Sequence, residues 1–302
     1  VAVQYLGGRA ADTRCVVLGG DGTQDSGARY ELTAEQAVNA AVISSVGTRR
    51  GMPERAVTIA LATALQESAL RNIRHGDRDS LGLFQQRPSQ GWGTGEQILD
   101  PAYSAGRFYQ HLTEVPGYSR LPLTVAAQRV QKSGFPQAYA KHEPDAALLA
   151  SALTGRTPAS LSCDAANGGT DAGPGDPAKV RQELAKAFGE SGKAGGQTGV
   201  LAGGKAGEKV VVVPVTGVRT DRAAGGGPGD GSGGPGEQRG WELAHWAMAH
   251  SAELRITRIT YAGREWNTQQ AKRGWQRMPG TAGPAGAAGS AAAAEVRIST
   301  AG

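Results

Sequence analysis

The sequence predicts an α+β protein: an all-α domain over residues 28–163, a glycine-rich linker over 164–207 and a small α/β domain over 208–302, with residues 1–27 as an N-terminal arm. Three observations predict it. Capped segments with helical apolar spacing follow one another from Thr33 to Gly155. Glycine then rises from 11 in residues 28–155 to 22 in the shorter stretch 164–240, and a β-branched run, Lys209 to Val215, lies within that stretch. So much glycine cannot bury enough apolar surface to offset the entropy of ordering, which puts the domain boundary near 156–165. Hydrophobic residues make up 39% of the 302, enough for a core and incompatible with disorder throughout. The longest nearly apolar run, Ala56 to Leu65, is far below the roughly 18 residues needed to span a bilayer. The glycines lack the three-residue period of collagen, and no repeat of solenoid length is present.

Each element has a local cause. Thr33-Ala-Glu-Gln36 is a capping box, Val38, Val42 and Val46 recur at four-residue spacing, and Gly51 supplies the stop. Pro53 opens the next helix at its favoured first-turn position. The run Ala56 to Leu70 is apolar on most of its circumference, so this helix is expected at the centre. Asp100-Pro101 caps a third helix through about Leu112, Thr124 starts a fourth, and Pro136 and Pro144 begin two more that end near Thr154-Gly155. Asp176-Pro177 starts a short helix to about Phe188. Lys209 to Val215 reads as a buried strand, Gly240 to Leu254 as a helix, and Ile256 to Tyr261 and Glu295 to Thr300 as strands. Pro279 to Gly289 reads as a further glycine-rich insertion.

Glu67 breaks the apolar pattern at the far end of the second helix. A carboxyl there is partly desolvated, which disfavours the anion and keeps a proton available near neutral pH, as general acid work needs. The bland alternative is a glutamate on the exposed edge of the helix. Within twenty residues follows Gly82-Leu83-Phe84-Gln85-Gln86-Arg87-Pro88, a turn that offers an amide side chain and free backbone groups beside apolar anchors.

Glu67-Ser68 followed by Gly82-Leu83-Phe84-Gln85 resembles the first two motifs of the soluble lytic transglycosylases and goose-type lysozymes, within the lysozyme-like superfamily. Asp100 to Tyr109 looks like the helix that follows there, and Val130 to Tyr139 resembles the bacterial and phage-tail branch, so the likeness covers roughly 31–154. It implies a lysozyme-like first domain and a peptidoglycan-cleaving glycosidase. In that family the glutamate matching Glu67 protonates the glycosidic oxygen between N-acetylmuramic acid and N-acetylglucosamine, through an oxocarbenium-like transition state. It further implies that Ser68 orients substrate or the glutamate and that Gln85 binds near the same saccharide. The third family motif, usually Ala-Tyr-Asn, is altered: Val130-Gln131-Lys132 takes its place, which makes Gln131 a candidate substrate-binding residue. Whether water or the sugar itself completes the reaction turns on a second carboxylate. Asp77 and Asp79 are the candidates, either holding a water or belonging to a solvated loop that caps the following turn. Trp92, in a glycine-flanked loop, offers a flat face for a sugar ring. Tyr139 is a further candidate substrate contact, although for Tyr103, Tyr109 and Tyr139 core packing is the competing role.

Cys15 and Cys163 lie far apart with no close His or Cys, which argues against zinc and for one disulfide closing a long loop, with two buried thiols as the alternative. A disulfide points to an extracytoplasmic protein, secreted or surface-held, and a start at Val1 is compatible with removal of a signal or anchor segment upstream. His245 and His250 share a helix five residues apart, rotated away from a common face, so no metal is expected and no cofactor is implied. Gly240-Trp241 through Trp266 and Gly274-Trp275 resembles a domain at the ends of actinobacterial wall enzymes, which implies an accessory role. The expected partner is the anionic peptidoglycan glycan strand, which a formal charge of +5 favours; the dispersed basic residues argue against nucleic acid, and no protein partner is indicated. The rival reading is a non-catalytic wall-binding or scaffold protein that keeps the lysozyme-like shape.

Overall fold

Alternating buried and exposed side chains make Arg14–Leu18 a strand, β1, with Cys15 and Val17 inward. The structure, a computed structural model, describes residues 13–20, 27–132, 136–164, 173–189, 199–201, 209–215, 235–279 and 295–302. The first twelve residues of the expected arm, most of the expected linker, nearly all of the insertion after Pro279, and Ser133 to Phe135 lie outside the described residues.

β1 is the middle strand of an antiparallel sheet with β2 (Arg29–Thr33) on one side and β3 (Leu161–Cys163) on the other. Cys15 stands opposite Cys163 and the two form a disulfide. The first part is therefore not all-α, as the sequence suggested. Three to five residues with one or two inward positions give no decisive period; β1 pairs with β2 nearby in sequence, and with β3 across 148 residues.

The helices follow their caps. Thr33 and Gln36 exchange the two hydrogen bonds of a capping box, and α1 runs Ala34–Arg49. α2 (Glu54–Ser68) has every side chain from Ala56 to Leu65 buried, because α1, α4 (Pro101–Glu114), α5 (Leu123–Gln131) and α6 (Glu143–Leu153) surround it. A short helix, α3 (Gly95–Ile98), precedes α4, whose Asp100 cap accepts the N–H groups of Ala102 and Tyr103. A 3-10 turn, Pro136–His142, leads into α6.

Beyond β3 come α7 (Pro177–Phe188), β4 (Gly199–Leu201), β5 (Lys209–Pro214), α8 (Pro235–Ala249), α9 (Ser251–Leu254), β6 (Ile256–Tyr261), β7 (Arg264–Asn267), β8 (Gln276–Arg277) and β9 (Glu295–Thr300). The second sheet has the order β4-β5-β9-β6-β7-β8 with every pairing antiparallel. The expected α/β arrangement is thus an antiparallel sheet with helices packed against it. The last strand enters between β5 and β6, a pairing no local pattern announces.

The apolar faces of the two parts merge in one core. α8 is buried all round from Gly240 to Ala249 because it packs against α1, α6 and β3 as well as β6 and β9. Polar side chains cross the same seam. Trp266 Nε1 donates to the Cys163 carbonyl at 3.2 Å, Trp275 Nε1 to the Leu161 carbonyl at 2.8 Å, and His245 Nδ1 to the Ala152 carbonyl at 2.7 Å. Gly155, with φ +75°, lets the loop after α6 touch α8: a Cβ there would stand 1.9 Å from the Gln238 carbonyl oxygen. The fold is α+β with two small sheets, and the disulfide ties the first sheet together.

Candidate functional site

α2 ends abruptly, and the way it ends aims Glu67. Ala69 and Leu70 both adopt positive φ, 52° and 58°, which is unfavourable for residues with a Cβ. The reversal is held by Gln36 Nε2 donating to the Ala69 carbonyl and Asn39 Nδ2 donating to the Leu70 carbonyl, each at 2.8 Å. Glu67, in the last turn, is half-buried. Desolvation raises its pKa above the ordinary carboxylate value, against the opposing pull of hydrogen bonds from Tyr139 and Gln131. Tyr139 is fully buried and its O–H donates to Glu67 Oε1 at 2.7 Å.

The neighbouring turn is fastened to the same helix end. Ser68 Oγ donates to the Leu83 carbonyl at 2.8 Å and lies 3.1 Å from the Ala64 carbonyl oxygen, so the hydroxyl anchors the turn rather than facing outward. Gln131 Nε2 donates to the Phe84 carbonyl at 2.7 Å, and through its bond to Glu67 the same amide joins acid and turn. Leu81 and Gln86 exchange backbone hydrogen bonds at 2.9 and 3.0 Å, with Leu83 and Phe84 buried inside the loop they close. Gln85, at φ +47°, donates from Nε2 to the Gly82 carbonyl and covers Gly76. Glu67, Ser68, Gln131 and Tyr139 thus share one cluster, with Gln85 on the turn that this cluster fixes.

The remaining candidates make no hydrogen bond or ion pair to that cluster among the described residues. Asp79 is gripped by Arg87 Nε at 2.8 Å and by the Ser89 N–H at 2.8 Å. The guanidinium, then Ser89, holds its carboxyl well below the usual range. Asp77 is 93% exposed and touches Arg78 Nε at 4.0 Å. Trp92 is half-buried with its ring 4.4 Å from that of His111, and its carbonyl accepts the Tyr103 O–H at 3.2 Å. Tyr109 is core, its O–H donating to the Ile43 carbonyl at 3.0 Å.

The sequence profile of a family described as VldE, C-terminal domain matches residues 220–287. No curated protein matches the chain. The matched stretch contains α8, α9, β6, β7 and β8, the part that shares its core with α1 and α6, and none of the Glu67 cluster.

His245 and His250 in this stretch are buried, and burial pushes both imidazoles down to about 4. Each uses Nδ1–H on a backbone carbonyl, Ala152 for His245 and Trp246 for His250 at 2.8 Å, so both are neutral structural groups at pH 7. Among the described residues no cluster of three or more His, Cys, Asp or Glu could hold a metal, and no helix is long and apolar enough to cross a membrane.

Two side chains near the cluster escaped the sequence reading. Gln66 Oε1 lies 3.2 Å from His142 Nε2, which ties α2 to the end of the 3-10 turn that carries Tyr139. Buried Gln86 donates from Nε2 to the Ser104 carbonyl at 3.0 Å and fixes the turn to α4. The signal for Gln86 was present: a second amide directly after Gln85, inside an otherwise apolar turn.

Proposed function

We propose that the protein is a peptidoglycan-cleaving glycosidase, a lytic transglycosylase or muramidase of lysozyme-like kind, with Glu67 as general acid and base at the bond between N-acetylmuramic acid and N-acetylglucosamine. The observation that supports it most is Glu67 itself: a half-buried carboxyl with a raised pKa, steered by Tyr139 and Gln131, at a helix end bolted to the Gly82–Gln85 turn. A protonated carboxyl in that setting gives its proton to the bridging oxygen as the bond from that oxygen to C1 breaks. The oxocarbenium-like centre at C1 is then closed either by water or by a hydroxyl of the same sugar, and the proton released returns to the Glu67 carboxylate. The second route needs one carboxylate only. It is favoured by the ion pair that engages Asp79 with Arg87 and by the exposure of Asp77.

Residues 208–302 are read as an accessory domain of this enzyme, in keeping with the partial match to a C-terminal domain family. The disulfide is of the kind formed in oxidising compartments, which fits action on the cell wall outside the cytoplasm. The test is digestion of purified peptidoglycan by wild type and Glu67→Gln, with products separated by mass. Wild type should release soluble fragments, anhydro ends marking transglycosylation and reducing ends hydrolysis, and the variant should lose at least a hundredfold in rate. Equal activity in the variant removes Glu67 from the chemistry. Inactivity of both supports the wall-binding scaffold instead.

A further inference from the structure

The net charge of the chain is not spread evenly along it. Residues 68–87, 129–132 and 136–141 hold seven of the 32 basic residues and two of the 27 acidic ones, which leaves 25 of each sign everywhere else. The whole formal excess of +5 therefore lies in three segments, and all three are fastened to Glu67 or to the turn beside it.

The fastening is specific. Arg71 follows Glu67 by four residues, at most about 14 Å of extended chain, and its N–H donates to the Ser68 carbonyl at 3.1 Å. The Ile73 carbonyl accepts the Gly82 N–H at 2.7 Å and the Gln85 side chain covers Gly76, so Arg74 and Arg78 are carried on a loop that lies against the Gly82–Gln85 turn. Arg129 and Lys132 bracket Gln131, whose amide reaches both Glu67 and the Phe84 carbonyl. Lys141 stands two residues after Tyr139, whose O–H reaches Glu67.

Most of these cations lack a counter-charge. Arg71, Arg74, Arg129, Lys132 and Lys141 are exposed and make no ion pair among the described residues; Arg78 has Asp77, at 4.0 Å, and Arg87 is engaged by Asp79. In other parts of the chain basic side chains stand against carboxylates, as Arg55 does with Glu143 and Arg297 with Glu295, each at 2.6 Å. None of the seven shifts the titration of Glu67, which burial raises against hydrogen bonds from Tyr139 and Gln131, so they stand back from its carboxyl. Like charges gathered without counter-charges repel one another and raise a positive potential around the cluster, which favours a ligand whose anionic groups extend beyond the atoms that Glu67 touches. Guanidiniums meet carboxylate and phosphate oxygens through paired N–H groups, and ammoniums meet both as point charges.

We propose that Arg71, Arg74, Arg129, Lys132 and Lys141 bind oxyanion side groups of the glycan strand, carboxylates or phosphates, and so make the Glu67 site select an anionic strand over a neutral one. The proposal rests on the glycosidase reading for the identity of the strand.

Sedimentation of Glu67→Gln with insoluble glycan tests it while the strand stays whole. Three probes are compared: peptidoglycan freed of phosphate polymers, peptidoglycan retaining them, and colloidal chitin, a neutral strand of N-acetylglucosamine. Peptidoglycan should be retained at least about tenfold better than chitin, and raising salt from about 0.1 to about 1 M, which shortens the screening length from about 10 to about 3 Å, should abolish the difference. Equal retention of the two peptidoglycans assigns the carboxylates, and retention of the phosphate-bearing one alone assigns the phosphates. Arg71→Gln with Arg74→Gln, and Arg129→Gln with Lys132→Gln, should each weaken retention about fivefold or more, with thermal melts showing the variants folded. Lys272→Gln with Arg273→Gln removes the same charge from an exposed turn of the C-terminal part and should change retention less than about twofold. Fragment release by Glu67→Gln would refute the general acid and leave the binding comparison standing. Equal retention of chitin, retention that survives high salt, losses no larger than in the control pair, or tighter retention of single-stranded DNA than of either peptidoglycan overturns the proposal.

Discussion

Removing one oxygen atom from Tyr139 deletes the hydrogen bond that tunes Glu67. The ring is fully buried and its O–H reaches Glu67 Oε1 at 2.7 Å, so Tyr139→Phe keeps the packing and deletes a donor that no solvent at the buried ring replaces. A hydrogen bond to an ionised group contributes about 1.5–3 kcal/mol and one between neutral groups about 1 kcal/mol, so the anion loses about 0.5–2 kcal/mol relative to the protonated acid. Glu67 should therefore titrate at higher pH in the variant. The folded pKa of Glu67 already lies above its unfolded value, so the folded state holds more protons between the two, and stability falls as pH rises through that window. Tyr139→Phe should deepen that fall by the same amount, about 0.5–2 kcal/mol, when urea unfolding at pH 8 is compared with pH 4, and the extra pH dependence should vanish in a Glu67→Gln background. Carboxyl carbon NMR of Glu67 gives the titration directly. A midpoint in Tyr139→Phe equal to or below that of wild type would refute the assignment of the tyrosine as a donor to the anion.

The disulfide closes a loop of 148 residues, worth up to about 5 kcal/mol by chain entropy, so Cys15→Ser with Cys163→Ser should lower the urea midpoint sharply; intact mass should rise by two hydrogens on reduction, whereas free thiols in untreated protein would contradict the pairing. Ser68→Ala leaves the Leu83 carbonyl without its side-chain donor and should cost about 1–3 kcal/mol, seen as faster amide exchange across 82–86. Gly240→Ala would put a methyl 1.9 Å from Cζ of the buried Tyr261 ring. Neither helix backbone nor ring can yield freely, so a loss of about 1–3 kcal/mol or more is expected in thermal unfolding. His245 and His250, pushed down to about 4 in the folded state, stay neutral while the unfolded chain takes up protons. Stability should therefore fall as pH drops from about 6.5 towards 4, by up to roughly 3 kcal/mol for each imidazole, and unfolding curves flat over that range would oppose their burial.

Local signals carried the helices. Thr33-Ala-Glu-Gln36 and Asp100-Pro101 state their caps within a few residues, and Ala56 to Leu65 declares a buried helix without reference to anything distant. What depends on partners far along the chain was hidden. β1 takes its meaning from β3, which lies beyond α6; β9 lies beside β5 only once β6 stands on its other side; and α8 is apolar all round because two parts of the protein claim opposite faces of it. At the site the same division holds. Glu67 stands out as a charge at the end of an apolar run, whereas the Tyr139 hydroxyl and the Gln131 amide reach it across 72 and 64 positions, and no spacing rule connects them. Asp79 was left between a water-holding carboxylate and a loop cap because its partner, Arg87, sits on the far side of the turn.

The seam along α8 bears on how the protein is made. During synthesis, Leu161 and Cys163 leave the ribosome with the central helices already complete, yet the indoles of Trp266 and Trp275 that occupy their carbonyls emerge about a hundred residues later. Until then the outer faces of α1 and α6 that α8 will cover are bare, and a nascent chain in that state is a natural client for a holdase chaperone. A premature stop between Cys163 and α8 would accordingly yield a sticky, protease-sensitive fragment rather than a smaller working protein.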